Sequence, residues 1–221
     1  AGPGDYKLLT IKAKECLEKA DVIVFDRLAN ESFLKLGKAG CEYINVGKAS
    51  SQHTLPQEQI NEVLAQKALE GKMVVRLKGG DPYVFGRGGE EGVYLYERKI
   101  PFEVIPGITS AIGGLCYAGI PITHREMASA FHVMTGHLKE GSEEELDWET
   151  LAKLQGTLVF LMGMANLEKI TSQLVAFGKS EETPAALISW ATRYNQKVVT
   201  GTLADINEKE NKIKLYKESG D

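Results

Sequence analysis

Met73-Val74-Val75-Arg76-Leu77-Lys78-Gly79-Gly80-Asp81-Pro82-Tyr83-Val84-Phe85-Gly86-Arg87-Gly88-Gly89-Glu90-Glu91 is the stretch from which the fold is read. Its first five residues are apolar and β-branched enough for a buried strand. The strand runs directly into a loop rich in glycine and charge. Gly79 and Gly80 remove two Cβ atoms where the strand exits, so a ligand can approach the backbone closely. Asp81 offers a carboxylate there, and Pro82 stiffens the turn behind it. Taken alone, Gly-Gly-Asp-Pro fits a tight turn with a solvated Asp equally well. The second cluster, Gly86-Arg87-Gly88-Gly89, favours a ligand loop.

Two phosphate loops are excluded. A dinucleotide fingerprint needs G-x-G-x-x-G, but Gly86-Arg87-Gly88-Gly89-Glu90-Glu91 ends in a carboxylate that would repel a pyrophosphate. Gly47-Lys48-Ala49-Ser50 resembles the end of a nucleoside triphosphate loop, yet position 42 is Glu42 and Ala49 replaces the metal-binding hydroxyl.

Working outward, residues 8–20 carry a helical stripe at Leu9, Ala13, Cys16, Leu17 and Ala20, and Val22-Ile23-Val24-Phe25 follows as a buried strand ending at Asp26-Arg27. Thr54-Leu55-Pro56-Gln57 has capping-box spacing; Ile60, Val63, Leu64 and Ala68 form the buried face of the next helix, and Gly71 stops it. A helix is expected over 90–98 and a strand over 102–105. Helices alternating with short strands predict an α/β domain with a largely parallel sheet. Pro106-Gly107-Ile108-Thr109 reads as a strand exit, and 111–119 as a closely packed helix. The domain junction is placed here, giving residues 1–107 and 108–221. In the second half 131–135, 157–162, 185–189 and 197–200 are strand candidates, and a helix runs from about 166 to 177, closed by Gly178. The acidic stretch 139–150 reads as a solvated loop and helix start. A last helix begins at Ala204. Ala1-Gly2-Pro3-Gly4-Asp5 already reads as a turn, as though a strand preceded it, and no closing strand follows the polar 208–214.

The 221 residues, 43% hydrophobic, suffice for one large core or two small ones. No apolar run reaches a membrane-spanning length, and no signal peptide is expected. Cys16, Cys41 and Cys116 are widely spaced and odd in number, which suits a reducing cytoplasm without a disulfide framework or zinc site. A net charge of −4 argues against a general nucleic-acid binder. An acidic ligand would need a local basic patch, for which Lys78, Arg87, His124 and Arg125 are candidates. No Ser-His-Asp, Cys-His or metal-binding histidine pattern is visible.

In parallel α/β sheets ligands collect beyond the carboxyl ends of the strands. Those ends read Asp26-Arg27, Val46-Gly47-Lys48, Lys78-Gly79-Gly80-Asp81, Pro106-Gly107-Ile108-Thr109, Gly136-His137 and Met162-Gly163. Several pair a glycine with a functional side chain. Asp26 alone also suits a helix cap, and Lys48 alone a solvated cation.

Ala1-Gly2-Pro3-Gly4-Asp5, Asp26-Arg27-Leu28, Val46-Gly47-Lys48, Arg76-Leu77-Lys78-Gly79-Gly80-Asp81-Pro82, Phe85-Gly86-Arg87-Gly88-Gly89-Glu90-Glu91, Val104-Ile105-Pro106-Gly107-Ile108-Thr109-Ser110 and Gly119-Ile120-Pro121-Ile122-Thr123-His124-Arg125 stand in order along nearly the whole chain. Together they resemble the tetrapyrrole methylase family, in particular its members acting on uroporphyrinogen III. The resemblance implies two α/β domains with S-adenosylmethionine in the cleft between them, and a cytoplasmic homodimer. It implies methylation of uroporphyrinogen III at C2 and C7 to precorrin-2, with S-adenosylhomocysteine as by-product, in sirohaem or cobalamin biosynthesis. By that resemblance Pro3, Gly79, Gly80, Asp81, Val84, Thr109, Ser110 and Met162 contact the cofactor, with Ala191 where the family can have glycine. Asp26 is then the proton acceptor and Lys48 the proton donor. For the carboxylates of that substrate, charge and position make Arg87, His124 and Arg125 the expected anchors. The alternatives are methylation of a later corrin intermediate, ribose methylation of ribosomal RNA, which an acidic chain does not favour, and a non-catalytic cofactor-binding module.

Overall fold

A computed structural model describes residues 1–47, 55–137 and 146–211. The chain forms two compact units, Ala1–Gly113 and Gly114–Asp221. No helix among the described residues is long and apolar enough to cross a membrane.

The first unit is built on a parallel sheet in the order β2-β1-β3, from β1 (Val22–Phe25), β2 (Glu42–Asn45) and β3 (Val74–Leu77). All four residues of β1 are buried, as a central strand covered on both faces requires. Successive side chains alternate between faces. Ile23 and Phe25 pack with Leu17 of α1 (Ile11–Lys19), Phe33 and Leu77. Val22 and Val24 pack with Val46 and with Ile60 and Leu64 of α2 (Gln57–Leu69). The helical stripe read at 9–20 is thus the face of α1 that covers the sheet. Thr10 caps α1 by accepting the Ala13 amide at 3.2 Å. At the start of α2 Pro56 offers no side-chain cap, and Thr54 of the expected capping box lies outside the described residues.

Parallel register sets the site. Phe25 lies opposite Leu77 and Val24 opposite Arg76, so Asp26 and Lys78 leave adjacent strands at the same edge. α3 (Gly88–Glu97) and α4 (Ser110–Tyr117) follow, the division between the units falling within α4.

The strand expected at 102–105 is a correction. That segment forms no strand and lines, with β3, a cavity of about 530 Å³. Pro101 and Pro106 bracket it, and neither has an N–H to donate to a ladder.

In the second unit β4 (Phe131–Thr135) pairs in parallel with β5 (Thr157–Leu161). β6 (Pro184–Ser189) and β7 (Lys197–Thr202) form a separate two-stranded sheet, and this one is antiparallel. α5 (Trp148–Lys153) and α6 (Leu167–Ala176) supply Trp148, Ile170 and Leu174 to its core. Part of the acidic stretch, 139–145, lies outside the described residues; its Trp148 is no solvated residue but is buried and stacked on Phe160 at 6.4 Å. The helix expected from Ala204 runs over 206–211, after a turn.

Candidate active site

The loop after β3 is fastened at several points. Gly2 and Gly80 exchange backbone hydrogen bonds of 3.2 and 2.7 Å. Gly79 passes so close to Leu28 that a Cβ there would lie 2.9 Å from the Leu28 carbonyl oxygen. Gly80 has φ +63°, a left-handed conformation that favours glycine, and its open side meets nothing nearer than Thr109 Cα at 3.9 Å. Asp81 accepts the Tyr83 amide on Oδ1 at 2.8 Å and the Gly107 amide on Oδ2 at 2.9 Å. Its carboxylate thereby ties the 79–82 loop to the 106–109 loop. The turn role expected of Asp81 is present in the Tyr83 bond, and its second oxygen adds the tie to Gly107.

The clamp brings together a set the sequence had scattered over a hundred positions. Thr109 stands beside Gly80, Ser110 opens α4, and Pro3 packs where a Cβ on Gly113 would meet its ring at 3.0 Å. Val84 is half-buried in the same loop and donates its amide to the Asp81 carbonyl at 3.3 Å.

Asp26 closes this end of the sheet. Its Oδ1 accepts the Leu28 amide at 2.9 Å, the local turn role open to any Asp, and its Oδ2 accepts from Arg76 Nη2 at 2.7 Å. Arg76 Nε donates to Glu91 Oε1 at 3.1 Å, and Lys78 Nζ donates to the same oxygen at 3.0 Å. Lys78 is 9% exposed and committed to Glu91, so it does not belong to a surface basic patch as expected. Burial, and then the neighbouring Arg76, push its pKa below the ordinary lysine value, with Glu91 opposing.

Arg76 and Glu91 were given no part by the sequence reading. A signal existed for Arg76: a cation inside an apolar strand must find a buried partner or leave the core. Glu91, in the first turn of a helix, looked like any acidic residue favoured at a helix N-terminus.

Arg87 occupies the residue before α3 with φ +57° and pairs in two-pronged fashion with Glu90, at 2.8 and 2.7 Å, on the surface. Lys48 lies outside the described residues.

The second unit holds the remaining candidates. Met162 follows β5 at φ +60° and is exposed. Beside it, Gly136 and Gly163 bring the ends of β4 and β5 so close that a Cβ on Gly136 would lie 2.4 Å from Gly163 Cα. Ala191 lies between two left-handed residues, Trp190 and Thr192, and approaches Gly114, where a Cβ would meet its own at 3.0 Å. His124 and Arg125 sit in an exposed turn closed by a His124 to Ala128 bridge, in which His124 Nδ1 accepts the Glu126 amide at 3.3 Å. Among the described residues no cluster of His, Cys, Asp and Glu could hold a metal ion.

Comparison with known proteins gives this arrangement a context. The family of tetrapyrrole (corrin/porphyrin) methylases matches residues 1–207. A Methanosarcina barkeri protein named S-adenosyl-L-methionine-dependent uroporphyrinogen III methyltransferase is 54% identical over 97% of this chain and 85% of its own length. Other curated relatives at 48% to 51% identity are longer, the chain spanning 42% to 46% of them. Among solved structures, the Thermus thermophilus uroporphyrin-III C-methyltransferase, complexed with S-adenyl homocysteine, is 36% identical with a TM-score of 0.78, over 94% of this chain and 87% of that one. A cobalt precorrin-4 methyltransferase is 26% identical with a TM-score of 0.85, over 96% and 87%. Sequence, fold and the matched length agree: the chain belongs to the tetrapyrrole (corrin/porphyrin) methylase family.

Proposed function

We propose that this protein transfers methyl groups from S-adenosylmethionine to C2 and C7 of uroporphyrinogen III, giving precorrin-2 and S-adenosylhomocysteine. The observation that carries the reading is the Asp81 clamp between the 79–82 and 106–109 loops, in a chain 54% identical to a protein named S-adenosyl-L-methionine-dependent uroporphyrinogen III methyltransferase.

The residues fit the cofactor. Gly79 and Gly80 present backbone in place of side chains, and Gly80 leaves its side towards Thr109 open. When bound, S-adenosylmethionine supplies an electrophilic methyl group. The protein's task is alignment, which converts an encounter into an intramolecular step. Pro3, Gly79, Gly80, Asp81, Val84, Thr109 and Ser110 contact the cofactor from the first unit, and Met162 and Ala191 contact it from the second. The methylated ring must then lose a proton. Asp26 is the acceptor, its carboxylate oriented by Arg76 and the Leu28 amide, and Lys48 is the donor. Arg87, His124 and Arg125 anchor carboxylate side chains of the porphyrinogen. A cytoplasmic homodimer completes the reading.

One other substrate has a specific observation behind it. The overlay is better on cobalt precorrin-4 methyltransferase, 0.85 against 0.78, whereas identity is higher to the uroporphyrin-III enzyme, 36% against 26%. Backbone overlay reports the scaffold and side chains choose the substrate, so identity is given more weight.

Asp26→Asn tests the chemistry. Cofactor affinity by calorimetry stays at the wild-type value and turnover falls about 10²- to 10⁴-fold. Wild-type turnover in that variant would return Asp26 to its turn-capping role.

A further inference from the structure

Glu91 takes no part in the reaction outlined above, yet three donors converge on one of its oxygens. Oε1 accepts from Lys78 Nζ at 3.0 Å, Arg76 Nε at 3.1 Å and Gln57 Nε2 at 3.3 Å, and only 7% of the side chain is exposed. Arg76 carries the connection onward. Its Nη1 rests on the Leu77 carbonyl at 3.0 Å and its Nη2 reaches Asp26 Oδ2 at 2.7 Å. A guanidinium is planar and rigid, so the bond made at Nε sets the direction of the bond made at Nη2.

We propose that Glu91 is a positioning residue for the proton acceptor Asp26, acting through Arg76. The proposal rests on the part given to Asp26 under the proposed function. Two cations and two carboxylates share this poorly hydrated end of the sheet, with side-chain exposures of 11% for Arg76, 9% for Lys78, 18% for Asp26 and 7% for Glu91. Without the Glu91 charge, Arg76 and Lys78 face one another with Asp26 as their shared counter-charge. The guanidinium loses its rear anchor, and Asp26 is drawn between two cations instead of being held by one. An acceptor whose lone pair must meet a particular C–H bond loses rate on displacements of an ångström. Buried charge pairs often add little net stability, so a directional role for this network is the one that shows in the rate.

The experiment compares Glu91→Gln, Asp26→Asn and the double variant of the full chain, with uroporphyrinogen III and S-adenosylmethionine as substrates. Glu91→Gln is expected to lower kcat roughly 10- to 100-fold and to leave the KM and calorimetric affinity for S-adenosylmethionine within a factor of about 3. The double variant is expected to be no slower than Asp26→Asn alone, because Glu91 then has nothing left to position. Arg76→Lys keeps the charge without the fork. It is expected to show the same kcat loss, and it carries the test if Glu91→Gln does not fold. Wild-type kcat in Glu91→Gln or in Arg76→Lys overturns the proposal, as do losses that multiply in the double variant. Wild-type kcat in Asp26→Asn overturns the part given to Asp26 and this proposal with it. Multiplying losses, with Asp26→Asn itself slow, overturn the role of Glu91 alone.

Discussion

Gly80 and Gly107 are both glycine, for opposite reasons. Gly80 needs its backbone angle and has room around it; Gly107 has an ordinary angle and no room, since a Cβ would lie 2.3 Å from the Gly80 carbonyl oxygen. Gly107→Ala therefore forces the two site loops apart and should cost about 1–3 kcal/mol, as overpacked positions do. Denaturant unfolding checks this, and an unchanged midpoint would contradict the contact. At Asp81 both carboxylate oxygens take amide N–H groups. Asp81→Asn keeps the shape but turns one acceptor into a donor, so one of the two ties is lost. S-adenosylmethionine binding measured by calorimetry should weaken, and unchanged affinity would detach Asp81 from the cofactor loop. The glycines and Asp81 were legible in the sequence as features of a strand exit. Their partners were not: Leu28, Thr109 and Gly107 come from other segments, and only folding brings them to position 80. The same holds for Glu91, whose burial depends on Arg76 and Lys78 facing α3. Arg87 carries the opposite lesson, because its Glu90 partner stands three residues away, at a spacing that neighbours in a helix share.

Helical periodicity served the elements better than local apolarity did. The stripe at 9–20 became α1, whereas the apolar run at 102–105 remained unpaired between its prolines. A short apolar run states that a segment is buried; pairing also requires donors and acceptors in register along a free edge. Asp147, in the stretch read as a solvated loop and helix start, caps α5 by accepting the Thr150 hydroxyl at 2.6 Å and the Thr150 amide at 3.0 Å. Those two bonds, the hydroxyl first, hold its carboxyl below the ordinary value. A depressed folded pKa means that the unfolded chain binds the proton more tightly. The contribution of the cap is thus complete above the ordinary aspartate pKa, about 3.9, and is lost as pH falls through the lower folded value. Asp147→Asn, followed by thermal unfolding across that range, should show its destabilisation shrinking as the solution is acidified. A difference independent of pH would contradict the hydrogen-bonded carboxylate.

At the scale of the molecule, the alternation of helices and strands made the α/β class legible, and the ordered glycine blocks made the family legible, before any contact was known. The antiparallel β6–β7 pair was not, because strand direction depends on topology that local composition does not record. Of the candidate cofactor residues, Pro3 to Ser110 belong to the first unit and Met162 and Ala191 to the second. The most direct test supplies the protein with reduced uroporphyrinogen III and S-adenosylmethionine carrying an isotopically labelled methyl group. The proposed function requires two labelled methyl groups per tetrapyrrole, resolved by carbon NMR at C2 and C7. Label that stays on the cofactor with folded, cofactor-loaded protein would contradict it.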